Sequence, residues 1–247
     1  MNYTETNATH KINLIMISVI IPTYNEEAHI KATIQCLWQF DESNLIKEII
    51  IADGGSTDNT VAIATAEEVK VVISQKKGRA AQMNFGAFFA TEEILYFLHA
   101  DTHPPRNFAK DISKVIEQGF GAGCFRLSFD NNHWFLKANC WFTRFDVNAI
   151  RFGDQSLFVT KDSFEKAGKY CEKHIVMEDQ HLIKRLKKIT RFTIIKKAVV
   201  TSARKYLENG MYKTQGIFFI IYFMYQFGYS QQKLLASYRK LIKQDKL

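Results

Sequence analysis

Three apolar runs of strand length, each stopping at a polar cluster, constrain this chain more than any other feature. Ile17 to Ile21 leads into Pro22-Thr23-Tyr24-Asn25-Glu26, and Ile49 to Ile51 leads into Asp53-Gly54-Gly55-Ser56-Thr57-Asp58. Ile94 to Leu98 leads into His99-Ala100-Asp101-Thr102-His103. In an open parallel α/β sheet, ligands bind in the crevice outside the carboxyl ends of the strands. Polar groups at successive strand ends therefore converge, and the pattern predicts one nucleotide-type site.

The segments between these runs alternate in a matching rhythm. Ile30, Ile34, Leu37 and Trp38 recur at helical spacing, and the next strand is expected over Ile46 to Ala52. Ser56, Thr57 and Asp58 offer caps for a helix over Asn59 to Glu68, before a third strand at Val69 to Ser74. Gly78 opens a helix over Arg79 to Ala90 with Ala80, Met83 and Ala87 inward, and Glu93 to Leu98 is the fourth strand. Pro104-Pro105 suits the start of a further helix. This alternation predicts right-handed crossovers, a mostly parallel α/β sheet and flanking helices. The second half reads as a strand over Gly121 to Asp130, a helix over His133 to Phe145 and a strand over Ser156 to Thr160. A helix over Met177 to Lys188 and a strand over Arg191 to Ala198 follow. The expected organisation is an arm over 1–14, one catalytic domain over 15–205 and a C-terminal helical segment over 206–247. Within the domain, 15–105 would hold the nucleotide and 106–205 the acceptor.

A length of 247 residues suffices for one large core. The formal charge of +8 favours anionic partners, but Lys and Arg are dispersed and no basic patch with interleaved aromatics appears. Nucleic acid is therefore not an expected partner. Cys36, Cys124, Cys140 and Cys171 have no CxxC spacing, so buried, reduced thiols are expected rather than a zinc site. No leader with a small-residue cleavage site is apparent, which makes a cytoplasmic enzyme the expectation. The apolar run Ile217 to Tyr225 is short of the roughly 20 residues a membrane span needs. It is expected to be a helix packed on the core. Because Lys213, Lys233, Arg239 and Lys240 flank it, residues 211–230 are also a candidate for peripheral membrane contact.

The chain resembles the family 2 glycosyltransferases, which have the A-type nucleotide-sugar-binding fold. The matching pieces are Ser18 through Glu27, Asp53-Gly54-Gly55-Ser56-Thr57-Asp58, His99-Ala100-Asp101 and Glu178-Asp179 at a helix start, in that order. A narrower resemblance, to the subgroup linked to arsenosugar biosynthesis, is carried by four further pieces. These are Gly78 through Asn84, Phe97 through Thr102, Gly153-Asp154-Gln155 and Thr201-Ser202-Ala203-Arg204. The resemblance implies a sugar transfer from a nucleoside diphosphate, with Pro22, Thr23, Tyr24, Glu26, Asp53, Gly78, Arg79, Asn84 and Ala100 around the nucleotide. It also implies a small-molecule or lipid-linked acceptor. A homo-oligomer is compatible with it.

The chemistry can be argued on its own terms. A leaving diphosphate gathers negative charge, which a divalent cation on carboxylate oxygen neutralises as a Lewis acid. Asp101 is the metal candidate, with manganese or magnesium as the cation. His99 stands where the family usually has an acidic residue, and imidazole suits manganese better than magnesium. His99 and His103 are thus further metal candidates, although either could instead bind phosphate or cap the Pro-Pro turn. Asp53 could accept the imino hydrogen of uracil or merely serve as a turn residue before Gly54-Gly55. A carboxylate must also deprotonate the attacking hydroxyl. Glu178-Asp179 at a helix start matches the base motif of the family the chain resembles, which implies Asp179 for that task with Glu178 beside it; the pair could instead be dipole partners of the helix N-terminus, and Asp154 is the reserve. One base and a single displacement predict inversion at the anomeric carbon. Two rivals are a nucleotidyltransferase, disfavoured because Pro22-Thr23-Tyr24-Asn25 lacks glycine, and a noncatalytic nucleotide-sugar binder.

Overall fold

A computed structural model of the chain describes residues 15–147 and 155–243. The strands form one eight-stranded sheet in the order β3-β2-β1-β4-β7-β6-β8-β5. The expected rhythm is present in its first half: β1 (Ile17–Thr23), α1 (Ile30–Phe40), β2 (Ile46–Asp53), α2 (Thr60–Ala66), β3 (Lys70–Ile73), α3 (Arg79–Phe89) and β4 (Ile94–Phe97). β1 pairs in parallel with both β2 and β4, and β2 with β3.

The second half departs from simple alternation and makes the sheet mixed. A two-residue β5 (Thr102–His103) precedes α4 (Phe108–Glu117), β6 (Ala122–Phe129), α5 (Trp134–Phe142), β7 (Leu157–Thr160) and α6 (Lys161–Lys166). α7 (Glu178–Ile189), β8 (Phe192–Thr201), α8 (Arg204–Asn209), α9 (Met211–Gln226) and α10 (Gln231–Leu241) complete the chain. β7 runs antiparallel to β4 and β6, and β5 antiparallel to β8. The prolines do not open α4. Instead Phe108 N donates to Pro105 O in a turn, and Asn107 takes a left-handed conformation at φ 60° as the helix cap. The short α6, which the sequence pattern did not announce, is capped by the Thr160 hydroxyl accepting from Ser163 N.

Both faces of the sheet are covered. On one face Ile30, Ile34, Leu37, Phe108 and Ile112 of α1 and α4 pack on alternate residues of β1, β2 and β4. On the other, α3, α6 and α7 supply Met83, Ala87, Phe164, Leu182 and Leu186 against Ile20, Ile50, Leu95 and Phe97. α3 lies close to the sheet because Gly86 has no side chain: a Cβ there would stand 2.6 Å from Ile20 Cγ2. That contact seats the N-terminus of α3 beside the ends of β1 and β2. The C-terminal helices form a separate small core of Ile217, Ile221, Leu234, Tyr238 and Ile242. No helix among the described residues is long and apolar enough to cross a membrane.

Candidate active site

The loops after β1 and β2 are built from each other. Asn25 N donates to Ser56 Oγ, Glu26 N to Thr60 Oγ1 and Glu27 N to Asp58 Oδ2. In return Thr57 N donates to Asn25 Oδ1, and both Asn59 N and Nδ2 donate to Glu27 Oε2. Asn25 itself adopts a left-handed φ of 52°. Most polar groups of the two clusters are thus engaged in shaping the rim that the strand ends present.

Asp53 anchors this arrangement. It is fully buried, and Oδ1 accepts from Gly55 N and Ser56 N at 2.8 Å each. Oδ2 accepts from the Thr23 and Ser56 hydroxyls at 2.9 and 2.5 Å. A carboxylate offers about four acceptor positions, and here all are engaged. The contact with a base edge expected of Asp53 requires the Ser56 hydroxyl to turn aside. Thr23, also expected at the base, gives its hydroxyl to Asp53. Pro22 is the residue before it in β1, half-buried opposite Ala52, and Tyr24 is the next residue on, half-buried. A residue the sequence reading missed completes the corner: Gln82 Nε2 of α3 donates to Thr23 O and Ala52 O at 2.6 and 2.9 Å.

The next strand end brings in the metal candidates. Leu98 N donates to Ile20 O, so the chain leaving β4 runs beside the end of β1. Ala100 is buried and its carbonyl accepts from the Thr33 hydroxyl, leaving its side chain no part in this rim. Asp101 Oδ2 lies 3.0 Å from Arg204 Nη2, and the same guanidinium nitrogen lies 3.3 Å from Glu26 Oε1. Arg204 therefore draws the loop after β1, the loop after β4 and α8 together. His103 is half-buried, and burial holds its imidazole below its ordinary value against the opposing pull of Asp101. A carboxylate oxygen with a neutral imidazole in its electrostatic field is a donor set that suits a hard or borderline divalent cation. The residues therefore fit the group, with Arg204 as a cation already on the carboxylate.

The third group sits at the start of α7. Met177, in a left-handed conformation at φ 64°, caps the helix, and Glu178 and Asp179 follow as buried residues in its first turn. Burial is the largest cause raising Glu178 to about 7, opposed by Arg79 and reinforced by Asp179, and His99 also lies within its field. Arg79 Nε stands 3.4 Å from Glu178 Oε1, joining the N-terminus of α3 to that of α7. Asp179 Oδ1 accepts from the buried Tyr170 hydroxyl at 3.2 Å. Gly78, at φ 110°, turns the chain into α3. Asn84, expected at the nucleotide, is instead a bracket: its amide donates to Tyr170 O and accepts from Tyr170 N at 2.9 and 3.0 Å. It positions the residue that holds Asp179. Asp154 lies outside the described residues.

A cavity of about 410 Å³ opens on these carboxylates. Arg79, Glu178 and Asp179 line it together with polar side chains that include Gln155, Gln180, Lys205 and Gln215, while Leu127, Phe142, Phe218, Phe219, Ile221 and Tyr238 contribute to mostly apolar walls. The walls come from β6, α5, α9 and α10, so the C-terminal helices complete a chamber against the second half of the sheet.

The profile of glycosyl transferase family 2 matches residues 18–171. Among curated proteins, the chain is 29% identical over 102 residues to a dolichyl N-acetyl-alpha-D-glucosaminyl phosphate 3-beta-D-2,3-diacetamido-2,3-dideoxy-beta-D-glucuronosyltransferase of Methanococcus voltae. That match covers 38% of this chain and 32% of the relative. Glycosyltransferase GlyG of Streptococcus pneumoniae is 28% identical over 109 residues, covering 42% of this chain and 36% of that protein. The matched stretch thus spans about a third of these relatives' length. Among solved structures, the mannosyltransferase PcManGT of Pyrobaculum calidifontis, in complex with GDP-Man and Mn2+, superposes with a TM-score of 0.67 at 16% identity. The superposition covers 92% of this chain and 70% of that one. Glucosyl-3-phosphoglycerate synthase of Mycobacterium tuberculosis, in complex with Mn2+ and UDP, gives 0.62 at 16% identity over 85% and 79% of the two chains. The fold is therefore that of the A-type nucleotide-sugar transferases, with a C-terminal helical part.

Proposed function

Because the chain belongs to glycosyl transferase family 2, we propose that it is an inverting, metal-dependent transferase that moves a sugar from a nucleoside diphosphate, the uridine form, to a hydroxyl acceptor. The observation that carries this is that Glu178, Asp179 and Arg79 meet in the lining of a cavity whose surface is mostly apolar. A cation held by Asp101, with His103 and His99 as flanking donors, would supply Lewis-acid neutralisation of the departing diphosphate. Arg204 and Arg79 add fixed positive charge on that side, and guanidinium matches phosphate geometry. Asp53 orients the base once Ser56 Oγ gives way. Tyr24, Glu26 and the Gly78 turn line the approach.

Asp179 takes the proton of the acceptor hydroxyl at its carboxylate oxygen. Tyr170 holds that carboxylate in place through its hydroxyl, and Glu178, raised to about 7 chiefly by burial, carries less than a full charge near neutral pH, which limits the repulsion between neighbours. The apolar walls exclude water, which protects the donor from hydrolysis.

The same walls select an acceptor with a substantial apolar part, either a hydrophobic small molecule or a lipid-linked one. α9 also presents Ile220 and Phe223 outward, and these are 50 and 55% exposed. Lys213, Lys233, Arg239 and Lys240 flank them, and we propose that residues 211–230 rest on an anionic membrane surface from which the acceptor enters. Membership of the arsenosugar-linked subgroup is proposed on the same footing. Its Gly78–Asn84 and Thr201–Arg204 pieces supply Arg79, Gln82, Asn84 and Arg204, four side chains that build this site.

Calorimetry tests the central reading. Manganese-dependent binding of uridine diphosphate is expected, and absence of manganese-dependent binding of both uridine and guanosine diphosphates overturns it. Asp179→Asn separates an enzyme from a noncatalytic binder: turnover is lost while donor binding persists.

A further inference from the structure

Outside the lining of the reaction cavity, a second set of ligating side chains meets along the segment that leads into α7. Cys171, His174 and His181 each offer one ligand atom, and these three atoms all lie within 4.8 Å of one another. The sequence spacing, Cys-x2-His-x6-His, has a thiol and an imidazole on the loop and the last imidazole on the first turns of α7. A tight turn, His174 N donating to Cys171 O at 2.8 Å, folds the first two ligands toward each other. His181 N bonds Met177 O at 3.1 Å and carries the third to the same place.

The two imidazoles are stacked, with ring centroids 4.0 Å apart and planes 18° from parallel. Nδ1 of each is buried without a hydrogen-bond partner in the structure. Two adjacent rings with unsatisfied nitrogens form a costly arrangement for a protein interior, because buried polar atoms nearly always find partners. A metal ion supplies one partner to both. Burial and the neighbouring positive charge of Arg185 keep both rings neutral, the form that ligates. Arg185 also lies in the field of Cys171.

We propose that Cys171, His174 and His181 bind one zinc-class cation, which fixes the segment bearing Glu178 and Asp179. A thiolate with two imidazoles is a borderline-soft donor set that selects zinc or cobalt over magnesium or manganese. Tetrahedral bonds of about 2.0 to 2.3 Å place ligand atoms roughly 3.3 to 3.8 Å apart, so closure of about 1 Å by side-chain rotation completes the site. Water takes the fourth position. The ion clips residue 171 to residue 181, and the left-handed Met177 and both carboxylates lie between them. The loop is also held where Ile175 N and Val176 N donate to Gln231 Oε1 of α10 at 3.0 and 3.1 Å, and where Lys76 Nζ donates to Glu172 Oε2 at 2.7 Å. The binding part of this proposal is independent of the reaction; the positioning part rests on the proposed roles of Glu178 and Asp179.

Cobalt(II) titration of the reduced, chelator-treated full chain tests it, because a thiolate ligand produces a charge-transfer absorption that the oxygen-rich Asp101 site cannot. The expected result is a saturating band displaced by stoichiometric zinc, lost in Cys171→Ser, diminished in His174→Ala and His181→Ala, and retained in Cys140→Ser. No band in the wild-type chain overturns the proposal, as does a band that survives Cys171→Ser or is indifferent to both histidine variants. Hydrogen exchange, read on protein whose circular dichroism is native, then reports position: zinc should slow exchange over residues 171–181. Binding without that protection refutes the positioning part alone, and neither readout depends on whether any sugar is transferred.

Discussion

Arg204 Nη2 stands 3.0 Å from Asp101 Oδ2 and 3.3 Å from Glu26 Oε1, so one guanidinium bridges two carboxylates contributed by loops far apart in sequence. The pair is partly shielded, with 28 and 17% of the Arg204 and Asp101 side chains exposed. A cation entering at Asp101 without its diphosphate therefore meets a resident positive charge.

Replacing Arg204 with Gln removes that competition. Manganese affinity in the absence of nucleotide is expected to rise about fivefold, in keeping with the ~1 kcal/mol of a partly exposed pair. Affinity for manganese with uridine diphosphate is expected to fall, since the guanidinium then no longer meets phosphate. Calorimetric titration of manganese with and without nucleotide checks both directions.

Tyr170→Phe isolates the support given to Asp179. The ring stays packed against Phe97 and Phe164, while the hydroxyl bond to Asp179 Oδ1 disappears. Loss of one such bond corresponds to about 1 kcal/mol, hence roughly a fivefold lower kcat with unchanged donor affinity. Steady-state kinetics against a saturating acceptor, set beside calorimetry of the donor, provides the check.

Glu178 makes stability depend on pH in a stated window. Its folded value is raised from 4.5 to about 7, chiefly by burial, so the folded state keeps a proton that the unfolded chain has released. The associated stability is fully present below about 4.5 and is lost as pH rises through about 7, an effect of roughly 3 kcal/mol at most. Denaturant midpoints measured at pH 5 and pH 8 should differ more for the wild-type chain than for Glu178→Gln.

Asp53→Asn probes the base-edge contact against loop building. Asparagine can still accept from Gly55 N and Ser56 N through one oxygen, so the turn survives, but it presents an amide where uracil needs an acceptor. Uridine diphosphate affinity is expected to fall at least tenfold, matching the 1.5 to 3 kcal/mol of a bond to an ionised partner. Isothermal titration beside a thermal melt separates this loss from unfolding.

The first half of the fold was legible because each element carried its own period. Ile30, Ile34 and Leu37 announce α1 in four-residue and three-residue steps, and the apolar runs of β1, β2 and β4 end on turn residues. β5 and α6 were not, since two-residue and six-residue elements are too short to show a period; β7 falls where a strand was expected, over Ser156 to Thr160, but its antiparallel direction was not foreseen. At the site, the sequence singled out Asp101, Arg79, Glu178 and Asp179, which sit in the contacts described. It did not disclose that Asp53 would be saturated, because acceptor occupancy depends on where Thr23 and Ser56 point. Arg204, Gln82 and Tyr170 were missed as site residues for a related reason: each acts across the fold on a partner at least nine residues away. The thiols were misjudged, since only Cys124 is buried while Cys36, Cys140 and Cys171 are partly accessible. Burial nonetheless pushes Cys36 up to about 11 and Cys140 up to about 12, so these two stay protonated and unreactive at neutral pH.

The reciprocal bonding of Asn25 with Thr57 and of Glu27 with Asn59 makes the two rim loops a single manufactured part. Transplanting either loop alone into a relative would leave its donors facing strangers. Anyone redesigning donor preference here should exchange residues 22–27 and 53–60 as a matched set, even though α1 and β2 separate them along the chain.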